Sequence, residues 1–292
     1  MKRLPFLDAL RGVLALVVVA SHAANCWGVR VLEPAASIAV GGFFAMSGYV
    51  LARAWDGDVL GFVARRIVRL WPVYAVCLVV AAGMLGRLPT VAERVWWPAG
   101  RVASDGRWLV DLMPDPPAWS LYVEAWAALV LPLLFVVART KAGAAVMLVV
   151  WVVLGVRVHM LAPGLFFAAG VAATCWPVRW PEVRWRPVLW LGKVSFSLYL
   201  SHDVLLRSLG PWWGLALCLP VAWGLWWAVE RPSVLLSRRA GHISGREWAA
   251  MAGLAISFSS FRVLYQRCDL IITYIARISC LQLLRVCSFF RD

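Results

Sequence analysis

The sequence predicts an all-α fold: a polytopic transmembrane helix bundle of about eight spans, followed by an atypical C-terminal tail. Three observations predict it. First, 62% of the 292 residues are hydrophobic and only 15% are charged, with a mean hydropathy of +0.77. An ordinary soluble domain has roughly 45–50% apolar and about 25% charged residues. A soluble globule of this size has too little interior to hide so much apolar surface, and a disordered chain carries far less of it. Second, the apolar residues come in long runs. Third, the basic residues between those runs are weighted toward alternate gaps.

A helix needs about 20 apolar residues to cross the hydrocarbon core. Runs of that kind occupy residues 7–27, 38–54, 67–85, 118–137, 142–156, 161–176, 188–209 and 212–229, of which the fifth and sixth are the shortest. Met1-Lys2-Arg3 ahead of an apolar run resembles a secretory signal, but no small-x-small cleavage site follows and further runs do, so the first run is read as a span.

Net charge is +14, carried by 26 Arg and 3 Lys (Lys2, Lys141, Lys193). The basic residues are scattered between apolar blocks rather than gathered in an aromatic-interleaved stripe, so no nucleic-acid partner is expected. With the N-terminus cytoplasmic, the inner segments carry Lys2, Arg3, Arg53, Arg65, Arg66, Arg69, Arg139, Lys141, Arg179, Arg184, Arg186, Arg231, Arg238 and Arg239. The outer ones carry Arg30, Arg87, Arg94, Arg101, Arg107, Arg157 and Arg207, and the long outer loop, 87–117, is balanced by Glu93, Asp105, Asp111 and Asp115. The inside excess is about two to one, which orients the bundle in the cell (inner or plasma) membrane. The seven Cys show no CxxC or metal-type spacing and read as small buried hydrophobes, so no metal site is expected.

Residue usage changes near the end. Before residue 243 the only Ile are Ile38 and Ile67, whereas Ile243, Ile256, Ile271, Ile272, Ile275 and Ile278 follow. Eighteen of the 19 Trp precede Trp248, and no Pro follows Pro232. The chain is therefore divided into a membrane domain, residues 1–239, and a tail, 240–292, of different origin (a frameshifted or read-through end) or forming an extra amphipathic segment.

Ionisable groups inside spans are costly and mark functional sites. Asp8 and Arg11, three apart near the cytoplasmic end of the first run, share a helix face and can pair. Arg11 and His22 are eleven apart, three turns, and so lie on one face about 16 Å apart along the axis. Arg65, Arg66 and Arg69 cluster at the cytoplasmic start of the third run: a positive-inside anchor, or a set of ligands for a phosphate-bearing cofactor. Ser120 and Glu124 share a face, which directs a carboxylate into the bundle from the outer side. The seventh run holds Ser195, Tyr199, Ser201 and His202, followed by Asp203. Glu230-Arg231-Pro232 reads as a helix stop.

These segments, in this order, resemble the acyltransferase-3 family of integral membrane O-acyltransferases. Leu7-Asp8-Ala9-Leu10-Arg11-Gly12 followed by His22 is similar to the first-helix signature, and Gly42-Phe43-Phe44-Ala45-Met46-Ser47-Gly48-Tyr49 to its "FFxxSGF" helix. Arg65-Arg66-Ile67-Val68-Arg69-Leu70-Trp71-Pro72 resembles "RRxxRixP", and Trp119-Ser120-Leu121 with Glu124 resembles "WSLxxE". Leu191-Gly192 through Tyr199 to His202 resembles "LGxxSYxxYLxH", and Glu230-Arg231-Pro232 the closing "ErP". The resemblance covers roughly residues 4–239. The chain departs from the pattern in having eight rather than ten spans, Ser201 in place of an aromatic before His202, and Ala127 and Ala128 where aromatics often follow the Glu.

The resemblance implies an enzyme that moves an acyl group, commonly acetyl, from cytoplasmic acyl-CoA to a hydroxyl. The acceptor would be a surface polysaccharide, a lipid-linked glycan or an antibiotic-like small molecule. Acyl-CoA is the donor substrate, and no permanently bound cofactor is implied. His22 matches the family's essential histidine and Arg11 its partner arginine, and Arg66 and Arg69 match positions that engage the CoA phosphates. The residues agree: O-acyl transfer needs a base for the hydroxyl proton, and His is the usual one near neutral pH. The candidate site is thus His22, Arg11, Asp8 and Glu124 for catalysis, and Arg65, Arg66 and Arg69 for the donor. Ser47, Trp119, Ser120, Tyr199 and His202 complete it as motif residues. Two other readings fit a polar helix stripe: a transporter or permease, against which stands the lack of an internal repeat, and a non-catalytic member of the family.

Overall fold

The computed structural model describes residues 4–85, 116–157 and 162–240. Within them the chain forms α1 (Pro5–Cys26), α2 (Glu33–Ala54), α3 (Val59–Leu85), α4 (Trp119–Val137), α5 (Lys141–Arg157), α6 (Ala162–Ala173), α7 (Arg186–Leu225) and α8 (Arg231–Ala240). A 3-10 turn, Pro116–Ala118, precedes α4, and a π-helical turn, Trp226–Glu230, joins α7 to α8. The described residues contain no strand, as the all-α expectation requires. The expected outer loop up to Asp115 and the tail beyond Ala240 lie outside the described residues.

Among the described residues, four helical stretches are long and apolar enough to cross a membrane: Pro5–Cys26, Glu33–Ala54, Trp119–Val137 and Arg186–Arg238. Lys141–Gly155 and Pro163–Ala173 are shorter apolar helices. The α5 surface exposes Val146, Val149, Val150 and Val153, an unbroken apolar face suited to lipid and unsuited to water.

Several boundaries follow from local chemistry. Helix α3 begins eight residues before the apolar run because Asp58 caps it, its Oδ1 accepting from the Gly61 N–H at 3.0 Å. The arginine cluster therefore lies inside α3 and not at its start. Gly210 has φ +76°, a conformation that favours glycine, and Pro211 follows it. Together they break α7 between the residues expected to end one span and begin the next. Pro232 does not stop the chain. The helical backbone runs on through Arg231 into α8, so the helix stop expected at Glu230-Arg231-Pro232 is corrected to a π turn leading into another helix.

Two close crossings hold the bundle. A Cβ on Gly12 of α1 would stand 2.7 Å from the Gly192 N and 2.9 Å from the Leu191 carbonyl carbon of α7, and one on Gly192 would meet the Asp8 backbone. A Cβ on Gly48 of α2 would meet the Phe167 carbonyl of α6, and one on Gly170 of α6 the Ala45 carbonyl of α2. Small residues let backbones approach in lipid, where helix association rests on close packing more than on solvent exclusion. Gly12, Gly48 and Gly192 belong to the quoted sequence motifs, and their place in those motifs is explained by packing.

Around these crossings lie apolar clusters. One gathers Phe44, Leu51, Phe62, Leu131, Phe167 and Val171 from α2, α3, α4 and α6. Another joins Val18, Val73, Tyr74, Cys77, Leu121 and Leu200 from α1, α3, α4 and α7. Cys77 and Cys218 are buried as expected, whereas Cys26, at the end of α1, is exposed.

Candidate active site

Polar side chains form two groups, one at each end of the α1–α7 crossing. The first is at the end where α1 and α7 begin. Arg11 Nε donates to Ser195 Oγ at 3.0 Å, and its Nη2 donates to the Gly192 carbonyl at 3.2 Å. Ser195 Oγ in turn donates to that carbonyl at 2.9 Å. Asp8 Oδ1 stands 3.9 Å from Arg11 Nη2, a loose ion pair on the same helix face. The Arg11 fork is thus fastened to α7, and Asp8 adds charge balance more than a tight bond.

Arg66 is ion-paired with Glu124, whose Oε1 also accepts from Ser47 Oγ at 2.6 Å. Ser47 lies about two turns before the end of α2, and Arg66 about two turns after the start of α3. Glu124 therefore reaches into the bundle, as expected, and meets it at the level of the α3 arginines. The reason is that α4 begins deep in the bundle: Ala118 and Leu121 pack in the cluster with Tyr199 and Leu200. Trp119 stacks obliquely on Phe44, ring centroids 5.9 Å apart, and Ser120 Oγ donates to the Pro117 carbonyl at 3.0 Å, so both serve this buried helix start.

Arg69, one turn beyond Arg66, lies within electrostatic reach of Arg11, Arg66, Glu124 and Glu230. Arg65 turns elsewhere and pairs with Asp56 Oδ2 at 2.8 Å in the loop before α3. Glu230 is buried and accepts from Ser197 Oγ at 2.6 Å. The π turn aims it there, because one extra residue in the turn rotates the following side chain relative to an α-helix. Beside this group is a cavity of about 490 Å³ lined by Pro5, Asp8, Arg186, Leu189, Trp190 and Lys193.

The second group is at the far end of the crossing. His22 Nδ1 lies 3.0 Å from His202 Nε2, with ring centroids 4.9 Å apart. His202 is fully buried, and its Nδ1 lies 2.7 Å from the Tyr199 carbonyl. Asp203 Oδ1 stands 3.5 Å from His22 Nδ1, and its Oδ2 stands 2.7 Å from Arg207 Nε. His22 is a third exposed, at 33%. Arg11 and His22 both reach α7, as residues on one face of α1 must.

The sequence-predicted residues thus divide by level. Arg11, Asp8, Arg66, Arg69, Glu124 and Ser47 gather at one end. His22, His202 and the Tyr199 carbonyl gather at the other, and Arg65 stands apart. Asp203, Arg207, Ser195, Ser197 and Glu230 complete these groups, although the sequence reading assigned them no site role. The Asp203–Arg207 spacing of four residues was the available signal. Arg207, counted as an outer-loop charge, is in α7 and bound to Asp203.

The chemistry on offer is a cationic cluster at one level and an imidazole pair with a carboxylate at another. The chain is 39% identical over 89 residues to "Protein 2 in picA locus" of Rhizobium radiobacter, covering 28% of this chain and 45% of that protein. It is 32% identical over 158 residues to "Acyltransferase MdmB" of Streptomyces mycarofaciens, covering 47% of this chain and 40% of that protein. The matched regions thus span less than half the length of these curated relatives. No solved structure matches. The family profile described as "Acyltransferase domain" matches residues 4–168, which contain α1 to α5, both α1 signature residues, the α3 arginines and Glu124. On that match, the chain belongs to the acyltransferase-3 family.

Proposed function

We propose that this protein is a membrane O-acyltransferase that moves an acyl group, acetyl first among candidates, from cytoplasmic acyl-CoA to a hydroxyl. The acceptor class is a carbohydrate, a lipid-linked glycan or a small hydroxylated molecule. The single observation that carries this reading is the arrangement along α1: Arg11 fastened to α7 at one end, and His22 paired with His202 and Asp203 at the other.

Phosphates of the donor need fixed cations. Arg69 and Arg11 provide them, while Arg66 is held by Glu124 and contributes as a positioned, partly neutralised member of the cluster. The axial distance of about 16 Å between Arg11 and His22 is of the order spanned by an extended phosphopantetheine arm, so phosphates at one level place the thioester near the other. There the acceptor oxygen loses its proton to His22 Nε2 and attacks the thioester carbonyl. The tetrahedral centre collapses, the C–S bond breaks, and the thiolate takes the proton back from the imidazolium.

The inside-weighted arginines support a cell-membrane protein with a cytoplasmic N-terminus, and on that reading the arginine cluster lies on the donor's side. The test is to offer radiolabelled acetyl-CoA to membranes holding the wild-type protein or His22→Ala. Label in a membrane glycan or small acceptor with the wild type, lost in the variant, is the expected result. Equal labelling with both would overturn the reading.

A further inference from the structure

We propose that His202 is a positioning residue that sets the proton on His22: the Tyr199 carbonyl, His202 and His22 form a relay that leaves His22 Nε2 as the free base. The inference rests on the role of His22 given above and deepens it.

The argument is one of donors and acceptors. A carbonyl oxygen only accepts. His202 Nδ1 faces the Tyr199 carbonyl at 2.7 Å and the Leu198 carbonyl at 3.3 Å, so Nδ1 carries the ring proton and donates. A fully buried imidazole is held neutral, since an added charge would lose its hydration. With one proton already on Nδ1, His202 Nε2 has only a lone pair to offer. Its neighbour at 3.0 Å is His22 Nδ1, which must therefore be the N–H donor. With its proton on Nδ1, a His22 imidazole that acts as a base has its lone pair on Nε2. Among the described residues no hydrogen bond to His22 Nε2 is made, and the side chain is a third exposed. The base is turned toward open space while its other nitrogen is fastened.

Asp203 supports the same state. Its Oδ1 stands 3.5 Å from His22 Nδ1, and Arg207 holds its Oδ2 at 2.7 Å. When Nε2 takes a proton, the positive charge on the ring develops beside a carboxylate already in place. This resembles the way a carboxylate fixes and supports the histidine of a serine-hydrolase triad. Here the fixing is shared: the imidazole of His202 selects the tautomer and Asp203 balances the charge. The anchor of the relay is main chain, which ties the tautomer of His22 to the fold of α7 and not to a mobile side chain.

The experiment is nitrogen NMR on detergent-purified protein with 15N-labelled histidine. The chain has four His (His22, His159, His202, His242), so His22 is assigned by its loss in His22→Ala. The wild type is expected to show His22 protonated on Nδ1 and bare on Nε2. His202→Phe, which fills the space without an acceptor, is expected to give a mixed His22 tautomer. His202→Gln, which keeps an acceptor near the old Nε2, is expected to restore the Nδ1-protonated form. In the labelled acetyl-CoA assay, His202→Phe is expected to lower kcat about 100-fold or more with KM for acetyl-CoA little changed, and His202→Gln to recover much of that loss. A His22 tautomer unchanged in His202→Phe, with His22→Ala inactive, would overturn this inference and leave the proposed function standing. An active His22→Ala would overturn the proposed function itself. If His202→Phe fails to fold, the wild-type spectrum still decides: a His22 protonated on Nε2 would overturn the inference.

Discussion

The Ser47 hydroxyl donates to the Glu124 carboxylate at 2.6 Å, joining α2 to α4 across 77 positions. Arg66 binds the same oxygen, so a serine, a carboxylate and a guanidinium from three helices meet at one point. Removing the carboxylate leaves Arg66 unpaired in a largely buried place. Glu124→Ala is expected to destabilise the protein by about 3 kcal/mol and Ser47→Ala by about 1 kcal/mol, read from detergent-solubilised unfolding. A Glu124→Ala protein as stable as wild type would show that the ion pair does not hold these helices.

Arg69 and Arg65 are expected to behave differently despite their shared motif. Arg69 lies within electrostatic reach of Arg11, Glu124 and Glu230, whereas Arg65 pairs with Asp56 in the loop before α3. Arg69→Ala should raise KM for acetyl-CoA about tenfold or more, the worth of a lost charge-assisted hydrogen bond. Arg65→Ala should change it by less than about threefold. Similar effects from both would remove the distinction.

Arg11 is a test of shape against charge. Its Nε and Nη2 reach two α7 acceptors at once, Ser195 Oγ and the Gly192 carbonyl. A lysine keeps the charge but lacks the planar fork. Arg11→Lys should therefore lose activity nearly as fully as Arg11→Ala, measured by label transfer. A lysine variant with wild-type transfer would reduce Arg11 to a point charge.

The glycine crossings predict which small substitutions fail. Gly12→Ala puts a methyl 2.7 Å from the Gly192 N, and rigid backbone cannot give way as a side chain end can. The expected cost is about 1–3 kcal/mol, with loss of folded protein from membranes. Gly83→Ala meets nothing within 4 Å and is expected to be neutral. Equal yields of both variants by fluorescence-detected gel filtration would contradict the packing account.

Asp203→Asn keeps the shape and removes the charge beside His22. A drop in kcat of about tenfold or more is expected, with the His22 tautomer unchanged in the NMR experiment, because the amide cannot balance an imidazolium. A tautomer change in this variant would instead assign tautomer control to Asp203.

Much of the fold was legible in the residues. Gly210-Pro211 marks the break in α7 because only one residue type readily takes that backbone conformation. The Arg11–His22 spacing placed both on one face through helix periodicity alone. The start of α3 was less legible: the apolar run begins at Ile67, whereas helix formation follows the Asp58 cap and the buried Phe62 and Ala64. The helix stop expected at Pro232 is not made, because the helical backbone continues through the π turn just before it.

By itself the sequence determined the solvent this chain folds in, the faces its helices present and the motif order that marks its family, because composition, period and spacing are local properties. Only the tertiary structure decided the partners. Glu124 meets Arg66 across 58 positions, Arg11 meets Ser195 across 184, and His22 meets His202 across 180. Periodicity says which side of a helix a residue takes, but not which helix lies against it or at what height. Those are set by where backbones come close, at Gly12 with Gly192, Gly48 with Phe167 and Gly170 with Ala45, and the first of these brings a lone imidazole on α1 against a second imidazole and a carboxylate on α7.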